Sequence, residues 1–137
     1  TIGDRVAFIG LNPSTADASQ DDPTIRRCIG FAKSWGFGGL VMLNLFAFRA
    51  TEPKDMKKRL NPIGQLNNEA ITNVCRRVNR VVCCWGNHGS WMGQSRIVKN
   101  NLLLDVPMFH FGMTKLGEPK HPLYLANQIQ IQEWKRS

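Results

Sequence analysis

Three residues stand out for their chemistry: Asn12, Asn44 and His121. Two amides and an imidazole can hydrogen-bond the edge of a planar polar heterocycle. A histidine can also stabilise an anion that develops in a transition state. Small polar groups follow Asn12, namely Ser14, Thr15 and Asp17, and then Asp21 and Asp22. The three aspartates could orient a water molecule, although Asp22 precedes Pro23 and suits a helix cap better. His88 and His110 lack cysteine or carboxylate partners at metal-site spacing, so neither a metal nor a cofactor is expected. There is no Ser-His-Asp elbow, no Walker loop and no Gly-x-Gly-x-x-Gly.

Each of the three residues follows or ends an apolar run. Val6, Ala7, Phe8 and Ile9 read as a strand buried on both faces, which Gly10 and Pro13 bring to an end near Asn12. Residues 40–46 form a second such run, with Asn44 as its odd polar member. Residues 81–86 form a third and residues 107–112 a shorter fourth. Between them the spacing predicts helices. One starts at the Asp22 cap, with Ile25, Cys28, Ile29, Ala32 and Trp35 as its stripe, and stops at the glycines of 36–39. A short charged helix is expected over 54–60. A longer one should run to about Val78 on Ile63, Leu66, Ala70 and Val74, and another should cover 91–104.

Four strand–helix units predict a single α/β/α domain over residues 1–137. In such sheets ligands bind at the carboxyl ends of the strands, where Asn12, Asn44, His88 and the loop 114–125 with His121 all fall.

The 137 residues are 42% hydrophobic and 20% charged, which is the balance of a chain with a real core. No apolar run is long enough to span a bilayer and no secretory leader is visible, so a cytoplasmic protein is expected. The first strand begins almost at residue 1, which is compatible with a short preceding piece having been trimmed. Cys28, Cys75, Cys83 and Cys84 have no paired spacing and read as small buried hydrophobes, with Cys83 and Cys84 on opposite sheet faces. The net charge of +8 favours a polyanionic partner, nucleic acid first. The oligomeric state is left open.

Over nearly its whole length the chain resembles the uncharacterised bacterial and phage domain family 1643. The resemblance lies in residues 11–17, 21–28, 44–53, 85–88 and 120–125. Four short blocks in order also resemble the uracil-DNA glycosylase superfamily: residues 10–14, 40–44 with the following 46–50, 81–86 and 121–123. That resemblance implies a four-stranded parallel sheet in the order 2-1-3-4 and hydrolysis of an N-glycosidic bond in DNA or a nucleotide.

By the same resemblance Asn12 holds the water, with Asp17 or Asp21 as helper, Asn44 reads the base edge and His121 stabilises the departing base. Phe46 or Phe48 would stack on the base, with Ser14, Thr15 and His88 nearby. Arg26, Arg27, Lys115 and Lys120 would meet phosphates, and Leu123 or Tyr124 would fill the space of a flipped base. No iron–sulfur cluster is implied. Asn12 stands where the most active uracil glycosylases carry an Asp, which implies slower or specialised chemistry. A binding module without turnover, or a hydrolase of free nucleotides, would use the same residues.

Overall fold

β1 (Arg5–Gly10) is buried at every position after Arg5, because it lies at the centre of the parallel strands with helices over both faces. It pairs in parallel with β2 (Gly39–Asn44) on one side and with β3 (Arg80–Cys83) on the other. The computed structural model describes residues 4–13, 22–126 and 129–135, with only the backbone of Tyr124. β4 (Phe109–His110) continues the sheet in parallel beside β3. β5 (Gln132–Glu133) then closes the edge in the antiparallel sense.

The sheet order is therefore 2-1-3-4-5. The first four strands take the expected order, but the four-stranded, all-parallel expectation is corrected by β5. Both residues of β5 are polar and exposed, as suits a short strand at the sheet edge. Its register is held by the Trp134 amide donating to the Met108 carbonyl at 2.7 Å.

Side chains alternate across β1, and the core is split accordingly. Val6 and Phe8 face α1 (Pro23–Ser34) together with Val82, Cys84 and Phe111. The Asp22 carboxylate starts α1 by accepting from the amides of Thr24 (2.9 Å) and Ile25 (3.2 Å). α1 buries Cys28, Phe31 and Ala32, whereas Ile25 and Ile29, expected on the buried stripe, are 40% and 38% exposed. Phe31 turns the helix that way. Its ring lies 4.7 Å from Phe111 and 5.5 Å from Trp35, an aromatic cluster that sets which face of the helix meets the sheet.

Ala7 and Ile9 face the opposite layer, where Met56 of α2 (Pro53–Lys57), Ile71 and Cys75 of α3 (Asn67–Cys75), Val98 and Leu103 complete the core. Helices thus cover both faces, giving an α/β/α arrangement.

Three helices differ from expectation. α2 stops at Lys57, and α3 starts only at Asn67 because the chain turns at Gly64, with φ +92° and the Ala47 Cβ tight against it. The single helix expected over 91–104 is broken. A 3-10 segment, Asn87–Gly93, kinks at Trp91 and Met92 before α4 (Gln94–Ile97) and a π-type turn, Val98–Leu102.

The four cysteines are free and buried, with Cys83 and Cys84 in different core layers. Burial pushes the Cys75 thiol up to about 12, and Cys84 is raised by its hydrogen bond with Cys28 and by burial. Such thiols stay protonated and act as hydrophobes. Among the described residues no helix is long and apolar enough to cross a membrane.

Candidate functional site

Gly10 ends β1 directly opposite Asn44, the last residue of β2. A side chain at Gly10 would place its Cβ 3.1 Å from the Asn44 Oδ1, so the glycine makes room for this amide. The backbone of Asn44 is held from behind. Asn67 Nδ2 donates to the carbonyls of Asn44 (2.8 Å) and Leu45 (3.0 Å). Gln94, fully buried, donates from Nε2 to the Leu45 carbonyl at 3.0 Å and to Asn68 Oδ1 at 2.6 Å. These carbonyls lie past the end of the ladder, where buried acceptors need partners. Asn67, Asn68 and Gln94 were not singled out from sequence. Polar positions on the inward side of α3 and α4 were the available signal.

His121 reaches the same edge from the other side. The Gly86 amide donates to the Pro119 carbonyl at 2.9 Å, and a Cβ built on Gly86 would sit 3.9 Å from that of His121. Gly10 and Gly86 follow neighbouring strands about 4.8 Å apart. By the alternation of β1, Gly10 falls on the α1 face, as Val6 and Phe8 do.

His121 caps the 3-10 turn Pro122–Tyr124, its Nδ1 accepting from the Leu123 amide at 3.2 Å. An accepting Nδ1 puts the ring proton on Nε2. Burial lowers the pKa of His121, and the Asp22 carboxylate opposes that more weakly. The group is thus a neutral imidazole with one N–H donor beside an acidic residue. Arg27 holds the turn down by donating from Nε to the Pro122 carbonyl at 3.2 Å and from Nη2 to the Leu125 carbonyl.

Asn12 lies at this edge too, but its amide has another task. Nδ2 donates to the carbonyls of Pro13 (3.2 Å), Phe48 (3.1 Å) and Ala50 (3.0 Å). Three acceptors settle which way the amide faces, with Nδ2 toward the loop after β2 and Oδ1 away from it.

The structure therefore sets His121 close enough to Asp22 for their charges to interact, with Asn44 at the carboxyl end of β2 opposite Gly10 and Asn12 just past the end of β1. Phe46 is fully buried in the core, whereas half-buried Phe48 carries the Arg59 guanidinium 4.6 Å from its ring centroid. His88 is exposed in the 3-10 segment, its pKa lowered by burial and by Lys57. Arg26, Lys115 and Lys120 are exposed, and the Lys120 side chain lies over Gly112. Leu123 is 39% exposed. Ser14, Thr15, Asp17 and Asp21, together with the side chain of Tyr124, lie outside the described residues.

Behind the site, Glu118 locks the loop from β4 to His121. Its carboxylate accepts from Trp85 Nε1 at 2.7 Å and from Ser95 Oγ at 3.3 Å. The Trp85 indole is pinned against Gly89, where any Cβ would come within 2.0 Å of Cδ1. Among the described residues no three His, Cys, Asp or Glu side chains group to hold a metal.

A model of a family described as proteins of unknown function (DUF1643) matches residues 2–123. The chain belongs to the DUF1643 family. Asn12, Asn44 and His121 all fall inside the DUF1643 match, and β5 falls outside it. No curated protein and no solved structure matches the chain. The glycosylase likeness of this DUF1643 protein thus rests on its four sequence blocks.

Proposed function

We propose that this protein is a glycosylase-like hydrolase that binds a base of DNA or of a nucleotide at the carboxyl edge of the sheet and cleaves its N-glycosidic bond. The supporting observation is His121, whose Nδ1 accepts from the Leu123 amide and whose pKa is lowered by burial, so that a neutral ring carries its proton on Nε2, beside the carboxyl edge at which Asn44 ends β2.

As the C–N bond breaks, the bonding pair leaves with the base. A neutral imidazole N–H can hydrogen-bond that growing negative charge without first giving up its proton. The Asn44 amide offers one donor and one acceptor to a base edge. The Asn12 Oδ1, turned from the loop carbonyls, is an acceptor for the water that adds to the sugar carbon. The proton this water then loses passes to solvent, while the departed base anion takes one up. An amide cannot deprotonate this water as a carboxylate could, so slow turnover is expected.

A panel of oligonucleotides carrying uracil, mismatched and modified bases, with free nucleosides and nucleotides beside them, tests the reading by release of base. His121→Ala should lower the rate on the order of 10²-fold or more, as loss of an oxyanion donor does. Failure of every substrate at high protein concentration rejects hydrolysis.

A second reading, a module that binds a base without turnover, is favoured by how the polar groups are committed. The Asn12 amide braces a loop and the Asp22 carboxylate caps α1. It expects base binding that Asn44→Ala abolishes, with no released product.

A further inference from the structure

The strongest basic cluster has no part in the site described so far. Residues 49–59 carry five cations, Arg49, Lys54, Lys57, Lys58 and Arg59, against two carboxylates, Glu52 and Asp55. Asp55 already lies 3.8 Å from Lys58. This segment starts in the loop whose Phe48 and Ala50 carbonyls are held by Asn12, so it leads away from the candidate site. The Lys57 ammonium lies 5.1 Å from the ring centroid of Trp91 and close enough to His88 to act on its charge, which joins α2 to the segment after β3.

Two rings therefore carry cations from this segment: Phe48 under Arg59 and Trp91 under Lys57. Trp91 remains 38% exposed and Met92 50%. They are turned outward by a kink in which Trp91 is extended and Met92 has a φ of 55°. A non-glycine residue in that conformation costs free energy that packing does not recover when the side chain stays in water, and such strain collects at functional positions.

We propose that the surface formed by α2 and the kinked segment at Trp91 binds a single strand of nucleic acid, its phosphates on Lys54, Lys57, Lys58 and Arg59 and an unstacked base on Trp91. Charge complementarity selects a polyanion, and the exposed ring selects one with free aromatic faces. A duplex hides its base faces and an acidic peptide has none. Groups of this kind bind single strands through a cationic groove and stacking platforms, with little regard for sequence. The inference does not rest on hydrolysis at His121, because strand binding can be present whether or not base is released.

The full chain can be titrated against fluorescently labelled oligothymidine of 12 nucleotides, a blunt duplex of equal length, polyglutamate and inorganic polyphosphate. The single strand should bind most tightly, with an affinity that falls as salt rises. Each lysine removed from the contact should reduce the logarithmic salt slope by about 0.7. Trp91→Ala should weaken oligothymidine by about 5- to 150-fold, the range of one lost stacking partner, and leave polyphosphate binding unchanged. Trp91→Phe should keep most of the affinity, and thermal unfolding of each variant controls for folding. Lys57→Glu, at a helix surface, provides a second variant should Trp91→Ala unfold. Equal affinity for duplex, displacement by polyglutamate at matched charge, or an inert Trp91→Ala would each overturn the proposal.

Discussion

An amide nitrogen that faces three carbonyl oxygens at 3.0–3.2 Å cannot be exchanged for a carboxylate without setting negative charge against them. Asn12→Asp would supply a stronger base for the proposed hydrolysis, yet here it is expected to destabilise the fold. Leaving the Phe48 and Ala50 carbonyls without a donor should cost about 1–3 kcal/mol, and more for the charge brought against them. Urea unfolding measures this, and base release from the same variant should not rise. Gly10→Ala is the gentler probe of the site. Its Cβ would meet the Asn44 Oδ1 at 3.1 Å and displace that amide by a few tenths of an ångström. Ligand binding should fall toward the Asn44→Ala level while the unfolding midpoint changes little.

At the scale of elements, the site stands on loops held down by side chains from elsewhere. The 3-10 segment Asn87–Gly93 rests on Trp85, and the loop to His121 is tied to the same indole through Glu118. Gly89→Ala drives a methyl group into the indole and is expected to cost about 1–3 kcal/mol or more, as overpacking does. Thermal unfolding followed by tryptophan fluorescence reports it. Glu118→Ala removes the acceptor of a buried indole N–H, for a loss of about 1–3 kcal/mol in urea unfolding. The same change should weaken any ligand that depends on His121, because the loop carrying it is released. The helix that was expected over 91–104 is broken at Trp91 and Met92. Helical spacing of apolar residues was present there, and the kink runs against it.

At the scale of the molecule, the three histidines act together on stability. Burial lowers the pKa of each, assisted by Lys57 at His88 and Lys99 at His110 and opposed by Asp22 at His121. The unfolded chain then binds more protons than the folded one just below the ordinary histidine pKa of about 6.5. Stability is thus full above that pH and is lost as the pH falls through it toward the lowered folded values. Urea unfolding at pH 8, 7, 6 and 5 should show the decline. His110→Asn, which keeps an acceptor near the Gly112 amide now bound to Nδ1 at 2.9 Å, should flatten it.

Much of this architecture is local in origin, and the sequence by itself determined that part. Continuous apolar runs specify the parallel strands, although β2, expected to be buried, is half-buried throughout because it lies at the sheet edge. Asp22-Pro23 specifies the start of α1, and adjacent Cys83 and Cys84 must face opposite layers. β5 was not legible in the sequence, because its two residues, Gln132 and Glu133, are both polar and only the backbone of β4 makes them a strand. Only the tertiary structure decided what the polar groups do. The Asn12 amide meets Ala50 across 38 positions, Gln94 meets Leu45 across 49 and Arg27 meets Pro122 across 95. Periodicity records whether a residue faces water or core. It does not record which distant carbonyl a donor will find, because the closure of the whole sheet makes that choice.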